Sequence, residues 1–100
     1  MKKHAVLFLP SAKNDINEAR SWYAQFNKEL PLRFKEELRQ IVIALKSRPE
    51  VHATRYKNVR FALLEKFPYA VHYFIDESSL TVNVIGVHHT AINPAKWRNP

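Results

Sequence analysis

The fold is decided by residues 59–97, which read VRFALLEKFPYAVHYFIDESSLTVNVIGVHHTAINPAKW. This stretch holds two strongly apolar runs, residues 70–75 and 80–87, with the polar quartet Asp76-Glu77-Ser78-Ser79 between them. Runs of this length that are rich in Val, Ile, Tyr and Phe are typical of β-strands, and a four-residue polar connection is typical of a hairpin loop. Both runs are apolar at nearly every position, which predicts strands in the middle of a sheet that is covered on at least one face.

Alternation along the second run assigns its side chains to two faces of the sheet. It predicts Val82, Val84 and Gly86 on one face, and Ile85 and Val87 on the other. Basic, imidazole and aromatic groups lie at the edges of the apolar runs, a composition suited to a polyanion or an acidic protein. They are Arg60, Lys66, His72, His88, His89, Lys96, Trp97 and Arg98.

The rest of the chain predicts a strand and two helices, followed by one more strand before the hairpin. Residues 5–9 form a short apolar run, and residues 56–65 form a second strand-like segment. Residues 11–27 and 31–47 repeat apolar side chains at helical spacing. The predicted order is therefore strand, helix, helix and three strands, which is an α+β fold.

Each predicted helix carries one apolar stripe, and one face of the sheet is the only large surface that can cover both. Ser11 is the expected N-cap of the first helix, and Arg33 and Glu37 have the spacing of an ion pair on the second. The stripe residues are Ala12, Ile16, Ala19, Tyr23 and Phe26, then Phe34, Leu38, Ile41, Val42 and Leu45. The core expected between the second helix and the sheet contains Leu38, Ile41, Val71, Tyr73, Val84 and Ile85.

Length and composition predict a single domain over residues 1–100, with residues 90–100 as a polar C-terminal tail. The chain has no cysteine, which fits a reducing compartment. Its basic N-terminus precedes only five apolar residues, too few for a signal peptide or a membrane span. We therefore expect a cytoplasmic protein without a membrane partner.

The charge balance favours acidic partners, although a basic surface can also be without function. The chain has 16 Lys and Arg against 9 Asp and Glu, a formal net charge of +7. Residues 46–66 alone hold six basic and two acidic side chains, a net charge of +4. Nucleic acids and acidic protein surfaces are the partners that such an excess attracts.

In the order of its elements and in a series of residues, the chain resembles the RelE/ParE toxins of bacterial toxin–antitoxin systems. The resemblance covers about residues 7–97, and its most specific part is the block from Phe67 to Tyr73. The matching residues are Ala12, Asp15-Ile16, Glu18-Ala19, Trp22-Tyr23, Arg33-Phe34, Leu45, Pro49, Tyr56, Val59-Arg60, Leu64, Phe67-Pro68-Tyr69-Ala70-Val71, Tyr73, Val87, His89, Asn93-Pro94 and Trp97.

The resemblance implies a small toxin that halts growth and is held inactive by a cognate antitoxin, which wraps a partly disordered segment around it. The family divides on mechanism. RelE-like members enter the ribosomal decoding site and cleave mRNA, whereas ParE-like members poison DNA gyrase without nuclease chemistry of their own. A third possibility is an adaptor that has kept the fold without toxicity.

The residues that RNA cleavage would need are only partly present. Such cleavage takes a base, an acid and cations around the phosphate, and the candidates are Lys57, Arg60 and His89. Where RelE-like enzymes carry an Arg at the start of the following strand, this chain has Phe67-Pro68. The comparison favours the ParE-like function, with gyrase as the target, over the alternative of ribosome and mRNA.

Candidate binding residues come from the same edges of the sheet and from the first helix. His88 and His89 are adjacent on a strand, so they should point to opposite faces. Without cysteines or clustered carboxylates beside them, we expect neither a metal site nor a cofactor there. The candidates are Trp22, Arg60, His88, His89, Lys96 and Trp97.

Overall fold

The computed structural model describes residues 3–91. Lys96 and Trp97, two of the candidate binding residues, lie outside them. The described elements are β1 (Ala5–Phe8), α1 (Pro10–Ala24), α2 (Glu29–Ser47), a 3-10 turn (Pro49–Val51), β2 (Thr54–Tyr56), β3 (Val59–Leu63), β4 (Tyr69–Asp76) and β5 (Thr81–His89). None of the helices in this part of the chain has the length and apolar character needed to cross a membrane.

The five strands form one sheet in the order β1-β5-β4-β3-β2. Strands β2 to β5 pair antiparallel, whereas β1 lies parallel to β5 at the edge. The predicted hairpin is confirmed as β4–β5, and both helices pack on one face of the sheet. The predicted α+β architecture is therefore present.

The segment predicted as one strand over residues 56–65 is instead a second hairpin. Strand β2 ends at Tyr56 and β3 begins at Val59, and they are joined by the two-residue turn Lys57-Asn58, in which Lys57 has a left-handed φ of 48°. Lys57 is thus a turn residue and does not share a strand with Arg60. The prediction of three strands after the helices was wrong by one short edge strand.

A β-bulge in β5 makes the two faces of that strand differ from those predicted. His72 pairs with Gly86 and Tyr73 with Val84, so Ile85 is an extra residue between the two pairs. Val84 and Val87 consequently both face the helices, while Ile85 packs on the opposite face against a smaller cluster around Phe61. The prediction that Ile85 contacts the second helix was wrong.

The main core lies between the helices and the sheet, as the stripe of α2 predicts. Phe34, Leu38 and Leu45 are buried there, and Ile41 is partly buried against them. Four aromatic rings fill one end of this core, where Phe34 lies 5.2 Å from the ring centre of Phe67 and 5.3 Å from that of Tyr69. The fourth ring, Tyr23 of α1, lies 4.9 Å from Phe67.

The first helix begins and ends earlier than the sequence predicts. Leu9 is its N-cap and Pro10 its first residue, a position that tolerates proline because no intrahelical partner is needed there. Ser11, the expected N-cap, lies inside the helix and donates its hydroxyl to the carbonyl of Ile85. The helix ends at Ala24, so Phe26 falls outside it and is 66% exposed.

The loop between β3 and β4 is held by the second helix. The Glu37 carboxylate accepts hydrogen bonds from the backbone N–H groups of Glu65, at 2.7 Å, and Lys66, at 3.2 Å. Arg33 therefore pairs with Glu29 and not with Glu37 as its spacing suggested. This contact positions Phe67 and Pro68 at the end of the sheet where β5 finishes.

Candidate functional site

Strand β5 extends beyond the end of β1, the edge strand that pairs with it. Helix α1 lies beside the remaining part of β5. The last backbone contact on this edge joins the Leu9 N–H to the Val84 carbonyl at 3.0 Å. Beyond it, Ser11 donates to the Ile85 carbonyl and the Asp15 carboxylate accepts from the Val87 N–H at 3.0 Å. Side chains of α1 therefore replace a missing strand, which satisfies backbone groups that would otherwise remain open.

A groove of about 340 Å³ runs between α1 and the end of β5. The structure brings three of the candidate binding residues together there, namely Trp22, His88 and His89. The groove is completed by Asp15, Glu18, Ala19, Tyr69 and Val87. We call this surface the α1–β5 groove.

Aromatic rings give the α1–β5 groove an apolar wall. Trp22 is 54% exposed and stacks edge-on against Phe26, with 5.3 Å between ring centres. Tyr69 lies 5.1 Å from the ring of His89, whose Nδ1 accepts a hydrogen bond from the N–H of Ala91. Burial, together with the negative charges of Asp15 and Glu18, raises the pKa of Tyr69, so its hydroxyl stays protonated.

The side chains of His88 and His89 point to opposite faces of the sheet, as those of adjacent strand residues should. The Nδ1 of His88 is 3.9 Å from Asp15 Oδ2, and its ring lies 4.5 Å from that of His72. It also covers Gly86, where an added Cβ would fall 2.5 Å from His88 Nε2. The missing side chain at Gly86 therefore allows His88 to fold onto the sheet.

His72 links this edge to the smaller core on the opposite face. It is fully buried and stacks on Phe61 at 3.8 Å. Burial, and to a lesser extent the neighbouring His88, lowers the pKa of His72 to about 3. The imidazole is neutral in the folded protein, so His72 is a core residue, as the sequence suggested for a mid-strand histidine.

The stability of the protein should therefore fall in mild acid. An unfolded histidine takes up a proton near pH 6.5, whereas folded His72 does not, so stability is complete above that pH and decreases as the pH falls toward 3. Between pH 7.5 and pH 5 the free energy of unfolding should drop by about 2 kcal/mol. Urea unfolding of the wild type and of His72→Phe would test this, since the variant should lose most of the pH dependence. An equal dependence in both proteins would contradict the assignment.

Arg60 lies away from the α1–β5 groove and has a structural partner. Its Nη1 donates to the carbonyl of Glu50 at 3.2 Å and to that of His52. On the neighbouring strand, Tyr73 pairs with Arg60 and donates its hydroxyl to the carbonyl of Pro49 at 2.6 Å. Arg60 and Tyr73 together fasten the segment after α2 to the sheet. We call these contacts the Arg60–Tyr73 clasp.

The three candidates for RNA cleavage do not share a site in residues 3–91. Arg60 pairs with Tyr73 of β4, and His89 pairs with Tyr69, four residues earlier in the same strand. Arg60 and His89 are therefore offset by about 13 Å along β4, and they lie on the two strands that flank it. Lys57 lies in the β2–β3 turn. Just before β4, Phe67 is buried among aromatic rings, and the adjacent cation is Lys66, which was not among the three candidates.

Asp15, Glu18 and Tyr69 are groove residues that sequence reasoning did not select. In the sequence, Asp15, Glu18 and Tyr69 are named only among the residues that carry the resemblance to the RelE/ParE toxins. The spacing of three between Asp15 and Glu18 places them on one helix face with Trp22, four residues further on. That pattern was the available signal, but it points to a site only once α1 is known to lie along β5.

Comparison with known proteins identifies relatives of the chain. The family described as the ParE toxin of the type II toxin–antitoxin system parDE matches residues 6–94. No curated protein matches the chain. Two solved structures share the fold. A chain of the chromosomal ParDE system from P. aeruginosa superposes with a TM-score of 0.73 at 15% identity, covering 87% of this chain and 96% of that one.

The second structure is from the toxin–antitoxin complex RelBE2 of Mycobacterium tuberculosis. It superposes with a TM-score of 0.65 at 21% identity, covering 87% of this chain and 98% of that one. At these identities, each similarity concerns the fold.

Proposed function

The chain belongs to the ParE/RelE family of type II toxin–antitoxin toxins, and from this premise we propose that it halts growth by poisoning DNA gyrase. In this proposal the chain acts by binding and catalyses no reaction itself. A cognate antitoxin neutralises it by covering part of the same surface.

The observation that carries the proposal is the separation of the groups that metal-free RNA cleavage requires. A base, an acid and cations must reach one phosphate together. Among residues 3–91, Arg60 and His89 are offset by about 13 Å along the strand direction and lie on opposite sides of β4, and the Arg60 guanidinium already donates to two carbonyls. This arrangement supports a binding function over a nuclease.

The α1–β5 groove is the surface that we propose contacts the target. It combines an exposed tryptophan with two imidazoles and with the acids Asp15 and Glu18. Tryptophans in such positions often dominate binding energy, because they bury a large area at a small cost in conformational entropy. Arg60, which lies outside the groove, remains a second proposed contact.

Binding of an antitoxin is supported by the surface of the helix pair. Trp22, Phe26 and Leu32 are large apolar side chains that are more than half exposed. They belong to a chain with a net charge of +7. An amphipathic and net acidic segment would bury this apolar area and pair with the charge, giving a tight complex with partial salt sensitivity. Both solved relatives come from toxin–antitoxin systems.

The proposed function can be tested by inducing the chain in cells and measuring plasmid supercoiling and mRNA integrity separately. We expect supercoiling to fall while mRNA stays intact. Trp22→Ala should reduce binding to the target by about 30-fold, the effect of losing roughly 2 kcal/mol at a central tryptophan, and growth should recover accordingly.

Ile43→Ala is the matched control, because Ile43 is a half-exposed apolar side chain on α2 outside the groove. It should remain fully toxic at equal soluble protein levels. Codon-phased mRNA cuts that disappear in His89→Ala would reject gyrase poisoning in favour of the ribosome-dependent nuclease. Growth inhibition that Trp22→Ala leaves unchanged would remove the groove from the site.

A further inference from the structure

A second group of chemically reactive side chains lies at the end of the sheet opposite the α1–β5 groove. His4 directly precedes β1, Glu50 lies in the 3-10 turn after α2, and Glu77 lies in the turn between β4 and β5. A ring nitrogen of His4 and a carboxylate oxygen from each glutamate all lie within 4.8 Å of one another. Three segments that are distant in sequence therefore meet at one point.

His4 is the unusual member of this group. It is only 8% exposed, and among residues 3–91 neither of its ring nitrogens has a hydrogen-bond partner. An imidazole buried in this way loses its hydrogen bonds to water without replacing them, which is unfavourable. A ligand between the ring and the two carboxylates would supply the missing partner.

The backbone of each of the three segments is fixed by hydrogen bonds. The His4 N–H donates to the Lys46 carbonyl at 2.7 Å, and the Glu50 carbonyl accepts from Arg60. The turn that carries Glu77 is closed by Asp76 Oδ1, which accepts from the N–H and the hydroxyl of Ser78. Only the carboxylate side chains would need to move when a ligand binds.

We propose that His4, Glu50 and Glu77 bind a divalent transition-metal ion of the zinc class. Imidazole nitrogen with carboxylate oxygens is a donor set that suits zinc, whereas magnesium and calcium prefer oxygen ligands alone. Ligand atoms around a tetrahedral zinc ion lie about 3.4 Å apart, given bonds of about 2.1 Å. The three ligand atoms lie within 4.8 Å of one another, and rotation of the exposed glutamate side chains brings them to this spacing, with water completing the coordination.

The surroundings contain opposing charges. Arg60 donates to the Glu50 carbonyl and lines the same pocket as the Glu50 and Glu77 side chains, so its charge opposes a further positive charge. The two carboxylates and the C-terminal end of α2, which ends at Ser47, favour it. Because the ligands come from residues 4, 50 and 77, a bound ion would tie β1, the 3-10 turn and the β4–β5 turn together and stabilise the fold.

The test uses the full chain without a histidine tag, because a tag would itself bind zinc. Thermal unfolding is followed with ZnCl₂, with MgCl₂ and with EDTA, and zinc stoichiometry is measured by titration calorimetry. We expect one zinc ion per chain. At a zinc concentration 100 times the Kd, the Tm should rise by roughly 10 °C or more, with no rise in magnesium.

The variants Glu50→Gln and Glu77→Gln remove one ligand charge each and keep the shape of the side chain. Both should lose the zinc-dependent rise in Tm while keeping the wild-type Tm in EDTA, which separates ligation from folding. Glu65→Gln is the matched control, an exposed glutamate on another loop, and should respond to zinc like the wild type.

A zinc-dependent rise of equal size in the wild type, Glu50→Gln and Glu77→Gln would place the ion elsewhere and overturn the proposal. The absence of any rise in wild-type Tm with zinc would overturn it as well. Neither result bears on gyrase poisoning, because no part of the α1–β5 groove belongs to this group.

Discussion

Truncation of Phe34 to Ala is expected to lower the free energy of unfolding by about 3–5 kcal/mol. Phe34 has no exposed surface and contacts both Phe67 and Tyr69. Its removal would leave a cavity at the point where α2, the β3–β4 loop and β4 meet. The loss is a large share of the 5–15 kcal/mol that stabilises a typical domain. Urea unfolding followed by circular dichroism would measure it.

Phe26→Ala is the control for this prediction, because Phe26 is 66% exposed and contacts the exposed Trp22. It should cost less than about 1 kcal/mol. If Phe34→Ala were no more destabilising than Phe26→Ala, the aromatic cluster would not be the packed core described above. Loss of toxicity in Phe34→Ala would reflect unfolding and should not be interpreted as a binding effect.

Substitution of Arg60 by Ala should destabilise the protein by about 2–4 kcal/mol, the cost of losing two hydrogen bonds from a charged donor. The change removes half of the Arg60–Tyr73 clasp and leaves the carbonyls of Glu50 and His52 without that donor. Nothing in the sequence indicates these carbonyl contacts, so this effect on stability is expected only from the structure. Thermal unfolding of the variant measures the loss.

Arg39→Ala is the matched control for Arg60→Ala. Arg39 also makes two side-chain hydrogen bonds, both to Glu36, but on the exposed face of α2. Exposed ion pairs contribute little, so the unfolding curve of this variant should stay nearly unchanged. Equal stability of the two variants would show that the clasp does not hold the segment after α2. Any effect of Arg60→Ala on toxicity has to be corrected for its effect on folding.

The elements with strong periodicity were predictable from the sequence. The repeat of Phe34, Leu38, Ile41 and Leu45 predicts α2 and its buried face, and the polar quartet after residue 75 predicts the β4–β5 hairpin. The β2–β3 hairpin was missed because its turn contains no glycine. Lys57 takes the left-handed conformation that glycine or asparagine usually supplies.

The bulge at Ile85 could not be predicted for a related reason. The residues next to Ile85 are apolar, so a one-residue shift places one apolar residue where another was expected. The hydrophobic pattern of the sequence therefore does not reveal the bulge. The two faces of β5 are therefore defined only by its pairing with β4.

The candidate site was predictable in part. Trp22, His88 and His89 were selected from the sequence as separate residues, and the structure brings them together in one groove. The role of Asp15 was not predictable, because it depends on β1 being only four residues long against the nine of β5. Only that difference in length leaves the Val87 N–H for a side chain of α1.

A gyrase reaction with purified components tests most directly our proposal that the chain poisons DNA gyrase. Purified chain is added to DNA gyrase, ATP and relaxed plasmid, with Trp22→Ala at equal concentration as the control. We predict that the wild-type chain stops supercoiling and accumulates linear DNA bound to gyrase, and that Trp22→Ala does so much more weakly. Undiminished supercoiling in the presence of excess folded chain would show that the chain does not poison gyrase.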